Sequence, residues 1–571
     1  MNYFSLLLLV AAQTVVAENT IKGFNTKTEQ FKNTKSSTSK RWSKNKPIRS
    51  CSSSVRLICQ STIGTHGLII DEPGQYCLAE DIQFSPFTDA THAITISASN
   101  VTLDLNGKRL IQVNDKKNNV GVFVSQNQRI VEIRNGFVEN FGALGLWVSQ
   151  GCREVSFEAM NVLNCGSRGH SPYSVQDGFQ SNSRGFLAGG LGLGGFEAPG
   201  SRISVVRVKE CLFLEVFSSE GPVFDPISGQ NVDVIAVGIG GASVDGLIVE
   251  DSISSIISSS QATARGISLN DGRTVRISNH QATTIIHRKG GTGILLDGIA
   301  SAEVSDSYVE RVEDIGGVEI IQRGSIGIGA LSTIDTSINN CFVTRAVNHS
   351  VTGVAHGIDV RSSKNVVVSN SKVFDCSGDS PLSSVAGIFY GAGAQEGTGI
   401  SFVKCESTGN VSATGRAYGL DVEPLLTQLS PIDPIFDNGI PQEVVIDGCL
   451  AQNNLTAGFR FRNANSSTLL NSISKGNTHF GILLEETGGV LPTPGSFKNN
   501  VIEHNGTDSS DAGVQDNYTS NNSFVKNTAF ANNAVNYVGI PVTTPLVDWI
   551  ISESKPTGDL NQKFANLNTQ P

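Results

Sequence analysis

Six charged residues fall into three glycine-led segments: "GIDVR" from Gly357, "GLDVE" from Gly419 and "GFRFR" from Gly458. Side chains alternate between faces in an extended chain, so positions two and four after each glycine share one face. That face would carry Asp359, Arg361, Asp421, Glu423, Arg460 and Arg462, and "GILLD" adds Asp297 four residues after Gly293. Carboxylates and guanidiniums so grouped can grip the carboxylates and hydroxyls of an acidic sugar, or hold a hard cation such as Ca²⁺. A carboxylate beside a cation can also move a proton. We take Asp359, Arg361 and Asp421 as candidate catalytic groups, and Glu423, Arg460, Arg462 and Asp297 as candidate substrate-binding groups. The competing reading is a solvated sheet face carrying ordinary ion pairs.

The elements that must position these groups form a repeat. Glycine followed by alternating apolar residues recurs at Gly121, Gly145, Gly266, Gly293, Gly327, Gly357, Gly387, Gly419, Gly458, Gly481 and Gly513. From Gly266 onward the steps run between 23 and 39 residues, so loops absorb the variation. Positions one and three are apolar, as in Ile358 and Val360, and a second alternating pair such as Val366 and Val368 often follows. Thirteen residues after the glycine stands an Asx column: Asp251, Asn279, Asp306, Asn340, Asn370 and Asn471. Asn and Asp tolerate left-handed backbone and bond their own chain at turns. Small residues often come next, among them Ser252, Ser307, Cys341, Ser371 and Ser472.

Short strands with no helix between them fit coils stacked into parallel sheets along a solenoid. The spacing predicts an all-β parallel β-helix over residues 51–540, with roughly twelve or thirteen coils ~4.8 Å apart. Two stretches depart from the repeat. Residues 166–200 are glycine-rich and include "GGLGLGG", and residues 423–442 carry Pro424, Pro431, Pro434 and Pro441. Both read as excursions. Residues 541–571 leave the repeat and read as a terminal cap.

Composition agrees. Sixty Gly, 27 Phe and only 2 Met in 571 residues suit turn-rich β-structure. Residues 1–17 are apolar and end in V-x-A, the pattern of a cleaved secretory leader, which predicts an exported or cell-surface protein. Residues 18–50 hold nine basic side chains against Glu18 and Glu29 and read as a disordered linker. With a formal net charge of −10, the remaining chain is strongly acidic, which argues against nucleic acid as a partner. No later segment is apolar over the length that spans a bilayer. Ten cysteines are widely spread, and only Cys51, Cys59 and Cys77 lie close in sequence. Eight Asn-x-Ser/Thr sequons, at Asn100, Asn348, Asn410, Asn454, Asn465, Asn505, Asn517 and Asn521, suit a turn-rich composition as well as glycosylation.

Residues 74–110, "GQYCLAEDIQFSPFTDATHAITISASNVTLDLNGKRL", resemble the first coils of secreted right-handed parallel β-helix proteins of the pectate-lyase-like superfamily. The resemblance extends over about 70–535 through the "NVxxxN" and "GIxV" elements. It implies a right-handed, single-stranded β-helix and a polysaccharide or cell-surface glycan as partner. For the lyases of that superfamily it further implies Ca²⁺ held by acidic residues and an arginine that takes the proton. The pectin hydrolases need Asn-Thr-Asp, then Asp-Asp, then Gly-His-Gly and Arg-Ile-Lys. Neither of the first two occurs here, and Arg207-Val208-Lys209 precedes His356-Gly357. His356 is accordingly assigned to the repeat and not to catalysis. "GGLGLGG" contains G-x-G-x-x-G, but no βαβ unit surrounds it. Two functions stay open: an exported β-helix that binds polysaccharide and cleaves it as a lyase or hydrolase, or a non-enzymatic surface or adhesion scaffold.

Overall fold

The computed structural model describes residues 55–547 apart from several segments, of which 168–185, 195–201, 316–323 and 425–439 are among the longest. The leader, the basic stretch, most of the proline-bearing excursion and most of the predicted cap lie outside the described residues. Within them the regular elements are strands, with one 3-10 turn at Gln60–Thr62. No described helix is long and apolar enough to cross a membrane.

Each rung of the fold visits three stacks of parallel strands in the same order. Val354–Arg361 pairs with Ser325–Leu331 before it and Ser384–Ala392 after it. The chain then turns into Lys364–Ser369, between Ile334–Asn339 and Ile400–Val403. Lys372–Phe374 follows, between Phe342–Asn348 and Glu406–Thr408. Apart from a hairpin of Val223–Asp225 and Gln230–Val232, the strand pairings are parallel. This is the predicted parallel β-helix. Ile358, Val360, Val366, Val368 and Val373 fill its interior and are fully buried.

The first stack contains sixteen strands, from Leu68–Ile70 to Val535–Val538, more than the twelve or thirteen coils expected. At ~4.8 Å per rung it runs roughly 70 Å. One added rung comes from the segment assigned to a loop. Phe186–Leu193 is a strand between Leu144–Val148 and Val234–Ala242, and Gly190 of "GGLGLGG" supplies the glycine missing from the series. The remaining additions lie toward the two ends, where two rungs have Ala93 or Asn536 in place of the glycine.

Why glycine recurs is a matter of space. A Cβ on Gly357 would lie 2.1 Å from Val373 Cγ1 and 2.6 Å from the carbonyl oxygen of Gly387. Gly327 meets the Gly357 oxygen at 2.4 Å in the same way, and Gly481 meets that of Gly513 at 2.4 Å. The register also steps over this column. Ala355 and His356 pair with Ser325 and Ile326, and pairing resumes at Ile358 with Ile328. The strand kinks at its glycine without adding a residue relative to its neighbours, and the inward–outward alternation shifts by one there, since Ala355, Ile358 and Val360 all lie in the core.

The Asx column behaves as its residue types predict. All six members have φ between 47° and 51°, the left-handed turn conformation. Asn279 donates to Asp251 at 2.6 Å and Asn340 to Asp306 at 2.6 Å, linking neighbouring rungs. A second asparagine ladder, Asn410–Asn454–Asn477–Asn505, runs through the buried interior. Asn348, Asn410, Asn454 and Asn505 are sequon asparagines with no exposed surface in the fold. Of the clustered cysteines, Cys77 is disulfide-bonded and Cys59 is free.

Candidate functional site

The kink at the glycine decides which side chains meet. In a regular strand residues 356 and 359 would face opposite ways, but the step at Gly357 places them on the same outer face. His356 Nδ1 lies 2.8 Å from Asp359 Oδ2. The same offset brings Arg265 Nη1 to Ser268 Oγ at 2.7 Å across Gly266. Positions −1, +2 and +4 relative to the glycine thus form three outward columns. Simple alternation identifies only the last two, and that is why His356 is missed by it.

Five successive rungs fill these columns with polar and aromatic groups. On Val354–Arg361 the Asp359 carboxylate accepts from Arg361 Nε at 2.7 Å, from Arg361 Nη2, and from the imidazole. On the next rung the Phe389 ring stacks on His356 at 4.3 Å between centroids and lies 5.4 Å from the Arg361 guanidinium. Ala417–Pro424 supplies Tyr418, Asp421 and Glu423, and Ala457–Arg462 supplies Arg460 and Arg462. Arg460 sits 4.1 Å over the Tyr418 ring and pairs with Glu423. Arg460 Nε is 2.9 Å from Asp421 Oδ1, close enough for an ion pair but without the geometry of a hydrogen bond. Arg462 Nη1 donates to Glu423 at 3.1 Å. Glu485, on the fifth rung, lies 3.8 Å from Arg460.

The expected face is outward, but it is not solvated. Asp359 and Asp421 have no exposed surface, His356 is 1% exposed and Arg460 4%. The plain ion-pair reading of a wet surface therefore fails at position two. Position four is more open, since Arg361 retains 25% and Arg462 22% of side-chain exposure. Six of the seven candidate residues gather in two adjoining groups, Asp359 with Arg361 and Asp421 with Glu423, Arg460 and Arg462. Asp297 stands apart: Leu331 occupies the intervening rung between it and Arg361.

Burial and charge set the protonation states in opposite directions. Burial pushes the Asp359 carboxyl up, but Arg361 and then His356 outweigh it and hold the group at about 2. Asp359 is therefore an acceptor only, so His356 Nδ1 carries the proton in their hydrogen bond. Burial lowers His356 despite Asp359, which leaves the imidazole neutral near pH 7. Its Nε2 is buried without a hydrogen-bond partner. Burial raises Asp421 to about 8, since Arg460 offsets only part of the cost and Glu423 adds repulsion. Arg460 is raised well above its ordinary value, burial being outweighed by Asp421 and Glu423. The face therefore holds one ionised carboxylate locked to an imidazole, and one carboxyl that keeps its proton at neutral pH.

A Ca²⁺ site of the kind implied by the lyase resemblance does not fit these side chains. Asp359 and Asp421 are each taken up by a guanidinium. Among the described residues no three His, Cys, Asp or Glu side chains are grouped to hold a metal.

Neither a protein-family model nor a curated protein matches the chain. Solved structures with a similar course include the periplasmic alginate epimerase AlgG, at 8% identity and a TM-score of 0.34 over 82% of this chain and 78% of that one. The A-module of the Azotobacter vinelandii mannuronan C-5 epimerase AlgE6 is similar at 10% identity and a TM-score of 0.29, covering 85% of this chain and 92% of that chain. PfbA, a surface adhesin of Streptococcus pneumoniae, is similar at 10% and 0.25, covering 75% and 84%.

Proposed function

We propose that this chain is an exported β-helix protein that binds an acidic polysaccharide along the outer face of its sixteen-stranded sheet, and cleaves it there. The observation that carries the reading is the continuous stripe from His356 to Glu485, in which three guanidiniums, four carboxyl groups, an imidazole and two aromatic rings occupy adjacent rungs. Guanidiniums recognise sugar carboxylates through paired hydrogen bonds. Arg361, Arg460 and Arg462 supply that recognition, with Glu423 holding the last two in place. Asp359 fixes the His356 tautomer and leaves Nε2 as a proton acceptor. Asp421, retaining its proton, supplies a donor two rungs away. That division of labour between two titratable groups is what base-and-acid cleavage of a glycan requires. Export rests on residues 1–17.

A second reading has its own observation. Complete burial of Asp359 and Asp421, each against a guanidinium, also suits a non-enzymatic surface scaffold in which the cluster ties rungs together.

Titration calorimetry of residues 51–571 against polyuronates and neutral glycans, with product absorbance followed in parallel, separates the two. Binding by the wild type, abolished in Arg460→Ala/Arg462→Ala, is expected, together with turnover lost in His356→Gln. Binding and turnover that survive Asp359→Ala, Arg361→Ala and Asp421→Ala combined would overturn the site. A folded wild type that binds no glycan leaves the scaffold reading standing.

A further inference from the structure

The residue after the Asx position forms a column of its own, in which several backbone N–H groups donate to the hydroxyl or thiol on the next rung. Cys341 N–H donates to Ser371 Oγ at 3.1 Å and Cys449 N–H to Ser472 Oγ at 3.1 Å. At one step both members are cysteines: Cys405 N–H donates to Cys449 Sγ at 3.4 Å. Glu406 and Leu450 are direct partners in the parallel ladder, so the two cysteines just before them are stacked on adjacent rungs. Neighbouring strands put their Cα atoms ~4.8 Å apart, inside the ~4.4–6.8 Å that a disulfide spans. The column gives Cys341 a serine neighbour on the following rung, and Cys449 another beyond Cys405.

We propose that Cys405 and Cys449 are a disulfide-forming pair that closes the 44-residue span between them, a span that contains the proline-bearing excursion. Both thiols lose a proton and one electron, the S–S bond forms, and a small-molecule disulfide accepts the electrons and is reduced to two thiols. Cys405 and Cys449 are 2% and 1% exposed, so the reaction belongs to folding, before the rungs close over the sulfurs. The predicted export would supply an oxidising compartment. The pairing itself depends only on the stack and is tested with an added oxidant.

The full chain, denatured and reduced, is refolded with glutathione disulfide, quenched with iodoacetamide under denaturing conditions, and mapped by mass spectrometry without reductant. The expected product is one linked species joining the Cys405 and Cys449 peptides, lighter than the two thiol peptides by two hydrogens. Cys405→Ser and Cys449→Ser each lose the link and leave the other cysteine alkylated, while Cys341→Ser keeps it. Full alkylation of both cysteines in the oxidised wild type, or a link from either to another cysteine, overturns the pairing. The wild-type map decides even where a serine variant fails to fold. Folded, reduced protein should form the link far more slowly than refolding protein, and equal rates would overturn the order of events.

Discussion

Asn477→Ala tests whether the buried asparagine ladder holds the rungs together. Asn477 Oδ1 accepts from the Asn454 backbone N–H at 3.0 Å and from Asn454 Nδ2 at 2.9 Å. Its own Nδ2 donates to Asn505 Oδ1 at 2.8 Å and to Ser474 Oγ at 2.9 Å. Alanine strands the two Asn454 donors in a residue with no exposed surface. A stranded buried donor costs ~1–3 kcal/mol, so the pair amounts to about 4 kcal/mol. Asn505 Oδ1 keeps the Asn477 backbone N–H at 3.1 Å and adds little to the loss. A solenoid can open locally, which makes one global midpoint a blunt measure. Native-state hydrogen exchange at the Asn454 amide reads the lesion directly, and at ~1.4 kcal/mol per decade its protection should fall roughly a thousandfold. Ser474→Ala, which removes one rung of side-chain bonding and strands no Asn454 donor, should cost about 1 kcal/mol. Asn454 protection within about tenfold of wild type in Asn477→Ala would refute the ladder's role.

Gly357→Ala forces a methyl group against Val373 and the Gly387 carbonyl, and should lower stability by about 1–3 kcal/mol in urea unfolding. It should also part His356 from Asp359, seen as an upward shift of the His356 NMR titration once the imidazole gains access to water. Asp421 holds its proton to about 8 when folded and loses it near ~3.9 when unfolded. The folded state then binds more protons between those values, so this group's contribution to stability is fully present below about 4 and lost as pH rises to about 8. Asp421→Asn should flatten that slope in denaturation curves collected from pH 4 to 8. Asp359 acts in the opposite sense: its contribution is present above about 4 and disappears as pH falls toward about 2, which acid-unfolding of Asp359→Asn would reveal by its absence.

Most of the backbone is legible in the chain because its constraints recur. A glycine must sit where the next rung's carbonyl leaves no room for a Cβ, and an Asx must sit where φ is near 50°. Repetition of both gives the rung length and the parallel stacking. Less legible are rungs toward the ends, where His92–Ile96 and Val535–Val538 carry Ala93 and Asn536 at the glycine position. Phe186–Leu193 is hidden for the opposite reason, since an excess of glycines masks the one that matters. At the site, alternation correctly pairs Asp359 with Arg361 and Asp421 with Glu423 on one face. It cannot reveal that the kink adds a third column and brings in His356 and Tyr418. The signal for that is the glycine itself, read as a skipped residue in the pairing. Burial of Asp359 and Asp421 is not encoded in period-two spacing, because outward position and solvent access are separate properties.

The glycine kink also sets how such a molecule can change. Rungs of the sixteen-stranded sheet share three outward columns on one backbone, whether they hold Arg265 and Ser268 or Tyr418 and Asp421. The chemistry is a choice of side chains written onto a periodic frame. A binding stripe could be lengthened, shortened or moved along the axis by substitutions at these columns alone, with no rearrangement of the chain beneath. Rungs themselves can be gained or lost only as whole turns, and where a carbonyl crowds the column, as above Gly357, the new turn must bring its own glycine. The frame is strict about its inner seam and indifferent to what its outer face is asked to hold.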